Sequence, residues 1–242
     1  MGIVGSVLGA TLGWWMLGPL GVIMGIVLGH LAEDKTSFVK DRDGLTGRSS
    51  RSGFMASLLV LIAAVMKADG KVVRAELDFV KRSLIHTFGK DQTQQALLML
   101  RDILKQSIPI REVVHQIRVN MDYYSRLELL HLMYGIALAD QYLSSEELGL
   151  IHSISGGLGI SESDFLSIRS MFQDDLAAAY KVLEIDEVVL DDQVKRAYRR
   201  MALRYHPDKV AQLGDDVKRS AEEKFRKVNS AYERIKKARG MN

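Results

Sequence analysis

Hydrophobic and polar positions divide the chain into three stretches of different period. Residues 1–32 contain no Asp, Glu, Lys or Arg, and residues 3–28 form an uncharged, predominantly apolar run that includes Trp14 and Trp15. About 20 such residues cross a hydrocarbon core, so the run predicts a transmembrane helix over 1–32. A secretory signal fits worse, because no basic residue precedes the run and its apolar part is too long. Polar text then fills residues 33–53, with Lys35, Lys40, Arg42, Arg48 and Arg51, and predicts a juxtamembrane linker. By the positive-inside rule these cations put the rest of the chain in the cytoplasm and the N-terminus outside.

Beyond residue 53 apolar residues recur every three or four positions and no alternating stretch occurs. The spacing predicts helices over 54–68, 73–88, 91–106, 109–120, 122–139, 144–158 and 161–170, forming one all-α bundle over 54–171. Pro109 suits a first helical turn, and Ser144-x-x-Glu147 is a capping box. In the last stretch, 172–242, a short helix ends over 179–185. Asp191-Asp192-Gln193 opens a second helix that runs through Tyr205, with Val194, Ala197, Met201 and Tyr205 as its buried stripe. His206-Pro207-Asp208-Lys209 breaks it, since proline lacks an amide donor and disfavours helix at the preceding residue. A polar loop follows through Gly214. A third helix over 215–237 carries Phe225, Val228, Tyr232 and Ile235 on one face, so the C-terminal stretch reads as an antiparallel helical hairpin.

The apolar run holds a second pattern. Gly5, Gly9 and Gly13, then Gly21, Gly25 and Gly29, fall at four-residue spacing, which puts a groove of small residues on one helix face. Backbones approach closely along such a groove, so it predicts a homodimer through the transmembrane helix. Gly18-Pro19 in the middle allows a kink, or a hairpin with both ends on one side.

Composition narrows the chemistry. The 242 residues contain no cysteine, which excludes disulfides, thiolate zinc sites, iron–sulfur clusters and cysteine nucleophiles, and fits a reducing compartment. The net charge of +3 is too small for general nucleic-acid binding. All of that surplus lies in 172–242, where 16 Lys and Arg face 13 Asp and Glu. On the second helix Lys195 and Arg199 share a face with Tyr198, and Arg196, Arg200 and Arg204 make an adjacent row. Like charges four apart weaken a helix, so the array calls for solvation or an acidic partner. No nucleophile elbow accompanies His206 and Asp208, and the six histidines make no zinc spacing. The residues form no catalytic constellation and call for no resident cofactor.

An internal repeat runs at a constant offset of 71: residues 64–76, with Ala68-Asp69-Gly70 and Glu76, align with 135–147, with Ala139-Asp140-Gln141 and Glu147. This pattern resembles the TerB family of helical domains associated with tellurite resistance. The resemblance implies that Asp69, Glu76, Asp140 and Glu147 are candidate ligands for a divalent cation. Equally, Glu147 serves the capping box and the aspartates can satisfy turn amides. The final 70 residues hold Tyr180-x-x-Leu183-x-Ile185, Val194-Lys195-Arg196-Ala197-Tyr198-Arg199-Arg200, His206-Pro207-Asp208-Lys209 and Lys224-Phe225-x-x-Val228-x-x-Ala231-Tyr232. They resemble the J domain of DnaJ-type co-chaperones, with Glu184 where glycine is usual. That resemblance implies that Lys195, Tyr198, Arg199 and Arg200 contact a DnaK-family chaperone and that His206, Pro207 and Asp208 trigger its ATP hydrolysis. Anchor, TerB-like domain and J domain in this order resemble membrane-anchored co-chaperones of the bacterial inner membrane. The alternative is a cation-sensing or stress-response membrane protein in which the TerB-like domain is the primary functional unit.

Overall fold

The computed structural model describes residues 47–68, 72, 74–138 and 143–241, with backbone alone for 47–52, 75 and 76. The predicted span and its six glycines therefore lie outside the described residues, and no helix within them is long and apolar enough to cross a membrane. The described chain is all-α. Its helices are α1 (Gly47–Met66), α2 (Arg74–Phe88), α3 (Lys90–Leu104), α4 (Ile110–Asn120), α5 (Tyr123–Ala137), α6 (Ser145–Gly157) and α7 (Glu162–Ser170). Then come α8 (Leu176–Val182), α9 (Asp191–Arg204), a 3-10 helix (Pro207–Leu213) and α10 (Asp215–Arg239).

Helix α1 is the axis of the first seven. From Phe54 to Met66 only Met55 is appreciably accessible, as a helix apolar on every side must be when other helices surround it. It packs against α3, α4, α5 and α6, and also against the 3-10 helix from the C-terminal part of the chain. Helix α1 starts at Gly47 rather than at Phe54, because nothing between those two positions stops a helix; part of the expected linker is thus helical. Helix α5 is nearly as buried, from Leu127 to Tyr134. Ile62, Val65 and Met66 line a small cavity with Met133, Ile136 and Ala137, their counterparts at the 71-residue offset. The sequence repeat is thus visible as two core helices whose C-terminal ends meet.

The C-terminal helices continue the same core. Val194, Ala197, Met201 and Tyr205 are all buried, as the stripe predicts, and pack with Val228 and Ile235 of α10. Phe225 and Tyr232 are only half-buried, at the edge of that interface. The segment after the His-Pro-Asp turn is not a polar loop. It winds into the 3-10 helix, which buries Val210 and Leu213, three residues apart on one side, and packs on α10 as well as on α1 and α5. Gly135 makes the junction close. A Cβ there would meet the Phe172 ring at 3.1 Å, and that ring rests 5.2 Å from His131 and 5.4 Å from Tyr134 on α5.

Leu59, fully buried on α1, tests the central role of this helix. Leu59→Ala is expected to cost about 2–5 kcal/mol, read from urea unfolding of a fragment spanning 47–242.

Candidate functional site

Helix α9 presents two unlike faces. Its stripe faces α10; the opposite side carries Lys195, half-exposed, with Arg196 and Arg199 exposed and without an ion-pair partner among the described residues. Leu203 continues that face and is 71% exposed, an apolar side chain four residues beyond Arg199 in a field of cations. Sequence reading passed over Leu203. Its signal was an apolar residue out of register with the stripe at 194, 197, 201 and 205.

The other two arginines of the adjacent row, Arg200 and Arg204, are used internally. Arg204 donates to Asp164 (2.8 Å) and to Glu184 (2.7 Å), and Arg200 donates to the Leu183 carbonyl (3.2 Å) with Glu184 at 3.7 Å. Arg200 keeps a side chain 48% exposed, so it still reaches solvent. Tyr198 stacks on Tyr232 at 4.3 Å and donates to Asn229, which fixes its ring beside the cations. Glu184 has φ +56, the sole left-handed residue other than glycine among the described residues. That conformation costs about 1–2 kcal/mol for a residue with a Cβ. A glutamate here gains what glycine could not, a carboxylate that pairs with Arg204.

At the end of α9 the turn is tightly defined. His206 Nδ1 accepts from the backbone N–H of Asp208 (3.3 Å), lies 3.5 Å from the Asp208 carboxylate, and the ring stands edge-on to Phe225 at 5.9 Å. Pro207 occupies the first position of the 3-10 helix, where a missing N–H is harmless. The side chains of His206 and Asp208 nevertheless point outward, 48% and 71% exposed. Arg239, from the far end of α10, donates to Tyr180 (2.7 Å) and to Asp191 (3.0 Å), and so pins the start of α9.

Two buried polar centres join this hairpin to the first seven helices, and neither was foreseen. Asp164, with a side chain 5% exposed, accepts from Tyr123 (2.5 Å), Ser161 (2.7 Å), Arg204 (2.8 Å) and Tyr205 (3.3 Å). Burial and the Asp164 carboxylate push the phenol of Tyr205 well up, so it stays a donor. Glu128, fully buried on α5, accepts from Lys224 of α10 at 2.6 Å. Burial alone would raise its carboxyl, but the Lys224 ammonium overrides that and, with His131, holds it at about 2. His131 Nδ1 lies 3.8 Å from the other Glu128 oxygen, and neither atom has a hydrogen-bond partner. The signal for this pair was a glutamate inside the apolar run 127–134 and a lysine on the buried stripe of the last helix.

Of the four candidate cation ligands, Asp69 and Asp140 lie outside the described residues, as does the side chain of Glu76. Glu147 is in the capping box: its carboxylate accepts from the Ser144 backbone N–H (2.9 Å) while its own N–H donates to Ser144 Oγ (3.1 Å). No group of three or more metal-binding side chains occurs among the described residues.

Comparison with known proteins agrees with this arrangement. The family model for the DnaJ domain matches residues 178–239, which hold α9, the His-Pro-Asp turn and α10. That part of the chain is a J domain. The model for tellurite resistance protein TerB matches residues 55–170, and that for the co-chaperone DjlA transmembrane domain matches residues 1–51. Proteins named co-chaperone protein DjlA are similar to it nearly end to end. The Haemophilus influenzae protein is 25% identical over 99% of both chains, that of Coxiella burnetii 25% over 100% of both, and that of Photobacterium profundum 29% over 98% of this chain and 99% of its own. The chain thus carries, in this order, a match to the DjlA transmembrane domain, a TerB domain and a J domain, the arrangement that its DjlA-named relatives match along their length. No solved structure matches it.

The buried pair gives a test with a sign. The folded carboxyl of Glu128, at about 2, lies below its ordinary 4.5, so its contribution is present above about pH 4.5 and is lost as pH falls toward 2. Lys224→Met is expected to destabilise by about 3–5 kcal/mol at pH 7, because it leaves a carboxylate buried without its cation. It should also flatten the acid limb of stability against pH, measured by urea unfolding between pH 7 and pH 3.

Proposed function

We propose that the chain is a membrane-anchored co-chaperone that brings a DnaK-family chaperone to the cytoplasmic face of the membrane and stimulates its ATPase. The J domain and the shared naming of its relatives support the DnaK connection. One observation carries the mechanism. The unpaired cations of α9 and the outward-facing side chains of His206 and Asp208 are all accessible, whereas Arg200, Arg204 and Tyr198 are engaged within the protein. Lys195 and Arg199, with Arg196 beside them, dock an acidic surface, and Leu203 supplies an apolar anchor that desolvates the contact. Tyr198 and Arg200 border that contact, and His206, Pro207 and Asp208 engage the chaperone as the trigger.

The cations that follow the apolar run support an N-terminus outside and the J domain inside the cell, at the inner membrane. The six register-spaced glycines support a homodimer through the span.

Single-turnover ATP hydrolysis by a DnaK-family chaperone, with the 47–242 fragment added, tests the reading. Strong stimulation is expected, lost in His206→Gln, while Arg199→Glu should raise the half-saturating concentration and weaken its dependence on salt. Equal stimulation by wild type and His206→Gln would remove the trigger assignment.

A further inference from the structure

We infer that the TerB domain is a splint for the His-Pro-Asp turn, and that Asp164 and Tyr124 are positioning residues for chaperone stimulation. The inference rests on the co-chaperone reading and adds a role for a domain that reading leaves idle.

The turn is tethered on both sides, and each tether ends in the TerB domain. Before the turn, Arg204 and Tyr205, the two residues that precede His206, both donate to the buried carboxylate of Asp164. After it, Val210 and Leu213 are buried where the 3-10 helix packs on α1 and α5, and Lys209 lies over the Tyr124 ring at 4.8 Å. In the third turn of α10, Lys224 is paired with Glu128. Four consecutive contacts from α1, α5 and α7 thus bracket three residues whose own reactive side chains stay accessible.

Accessibility decides between the two roles such a contact could have. A cover that silences the turn would bury His206 and Asp208 or pair the free cations of α9 with TerB carboxylates. Instead the TerB domain takes hold of the backbone neighbours and of Arg204, and leaves the docking face and the trigger side chains in solvent. A turn held by its flanks loses little conformational freedom when a partner binds, and misplacing such a group costs rate rather than affinity.

The experiment compares the full chain in phospholipid nanodiscs with two variants. Asp164→Asn removes the charge that holds Arg204 but keeps the side chain's shape. Tyr124→Ala acts on the other flank and leaves no buried charge behind. For each, the maximal stimulation of single-turnover ATP hydrolysis is separated from the concentration that gives half of it, with thermal unfolding as a control. Splinting predicts that the maximum falls roughly three- to tenfold, while the half-saturating concentration, set by the untouched cations, stays within about twofold. Asp164→Glu, which restores the acceptor, should recover part of the loss. If Asp164→Asn proves unstable, the Tyr124→Ala result decides alone. A folded variant whose maximum equals or exceeds that of wild type overturns the inference, an increase marking the contact as a restraint instead. No stimulation by wild type brings down the co-chaperone reading and this inference with it, whereas stimulation by wild type that a folded variant matches brings down this inference alone.

Discussion

The structure depends on the cost of leaving a charge inside a protein without a partner. Glu128 and Asp164 are carboxylates inside the helical bundle, and each is paired with groups from the C-terminal hairpin: Lys224 for the first, Arg204 and Tyr205 for the second. Neither part of the chain can leave the other without exposing these groups or stranding them in apolar surroundings. Apolar contacts supply area to the junction, through Phe172, Val210 and Leu213, but area does not choose a register. The ionic pairs do, because only one seating adds Arg204 and Tyr205 to the donors that Asp164 already has in Tyr123 and Ser161.

That choice of register explains several local oddities together. Glu184 tolerates a left-handed backbone because its carboxylate shares Arg204 with Asp164. Gly135 has no side chain because Phe172 must lie against α5. The short segment after Pro207 is helical because its two apolar residues have a surface to meet. Each feature looks like a local exception, and each follows from one mode of docking between the TerB and J domains.

Much of this was legible in the sequence, and the failures have physical reasons. The stripe Val194, Ala197, Met201 and Tyr205 repeats often enough to reveal its period, and Ser144 with Glu147 is a local pattern whose partners are three residues apart. Val210 and Leu213 offer a single repeat in seven residues, too short to separate from a loop. The start of α1 was missed because Ser and Arg between Gly47 and Gly53 look like linker text although nothing there prevents a helix. The junction was the least legible part. Asp164 meets Arg204 across 40 residues and Glu128 meets Lys224 across 96, so each partner alone reads as a charged residue of no particular purpose.

Helix α1 gives the molecule a length scale. It is the first described element after the anchor and also the axis of the folded body, so only residues 33–46 separate the predicted span from a rigid unit that includes the J domain. Fourteen residues reach at most about 50 Å when fully extended. On the proposed docking, a chaperone engaged by α9 would be confined to a thin shell above the bilayer, where its encounters with membrane-associated chains would be governed by a tethered concentration and not by its abundance in the cell.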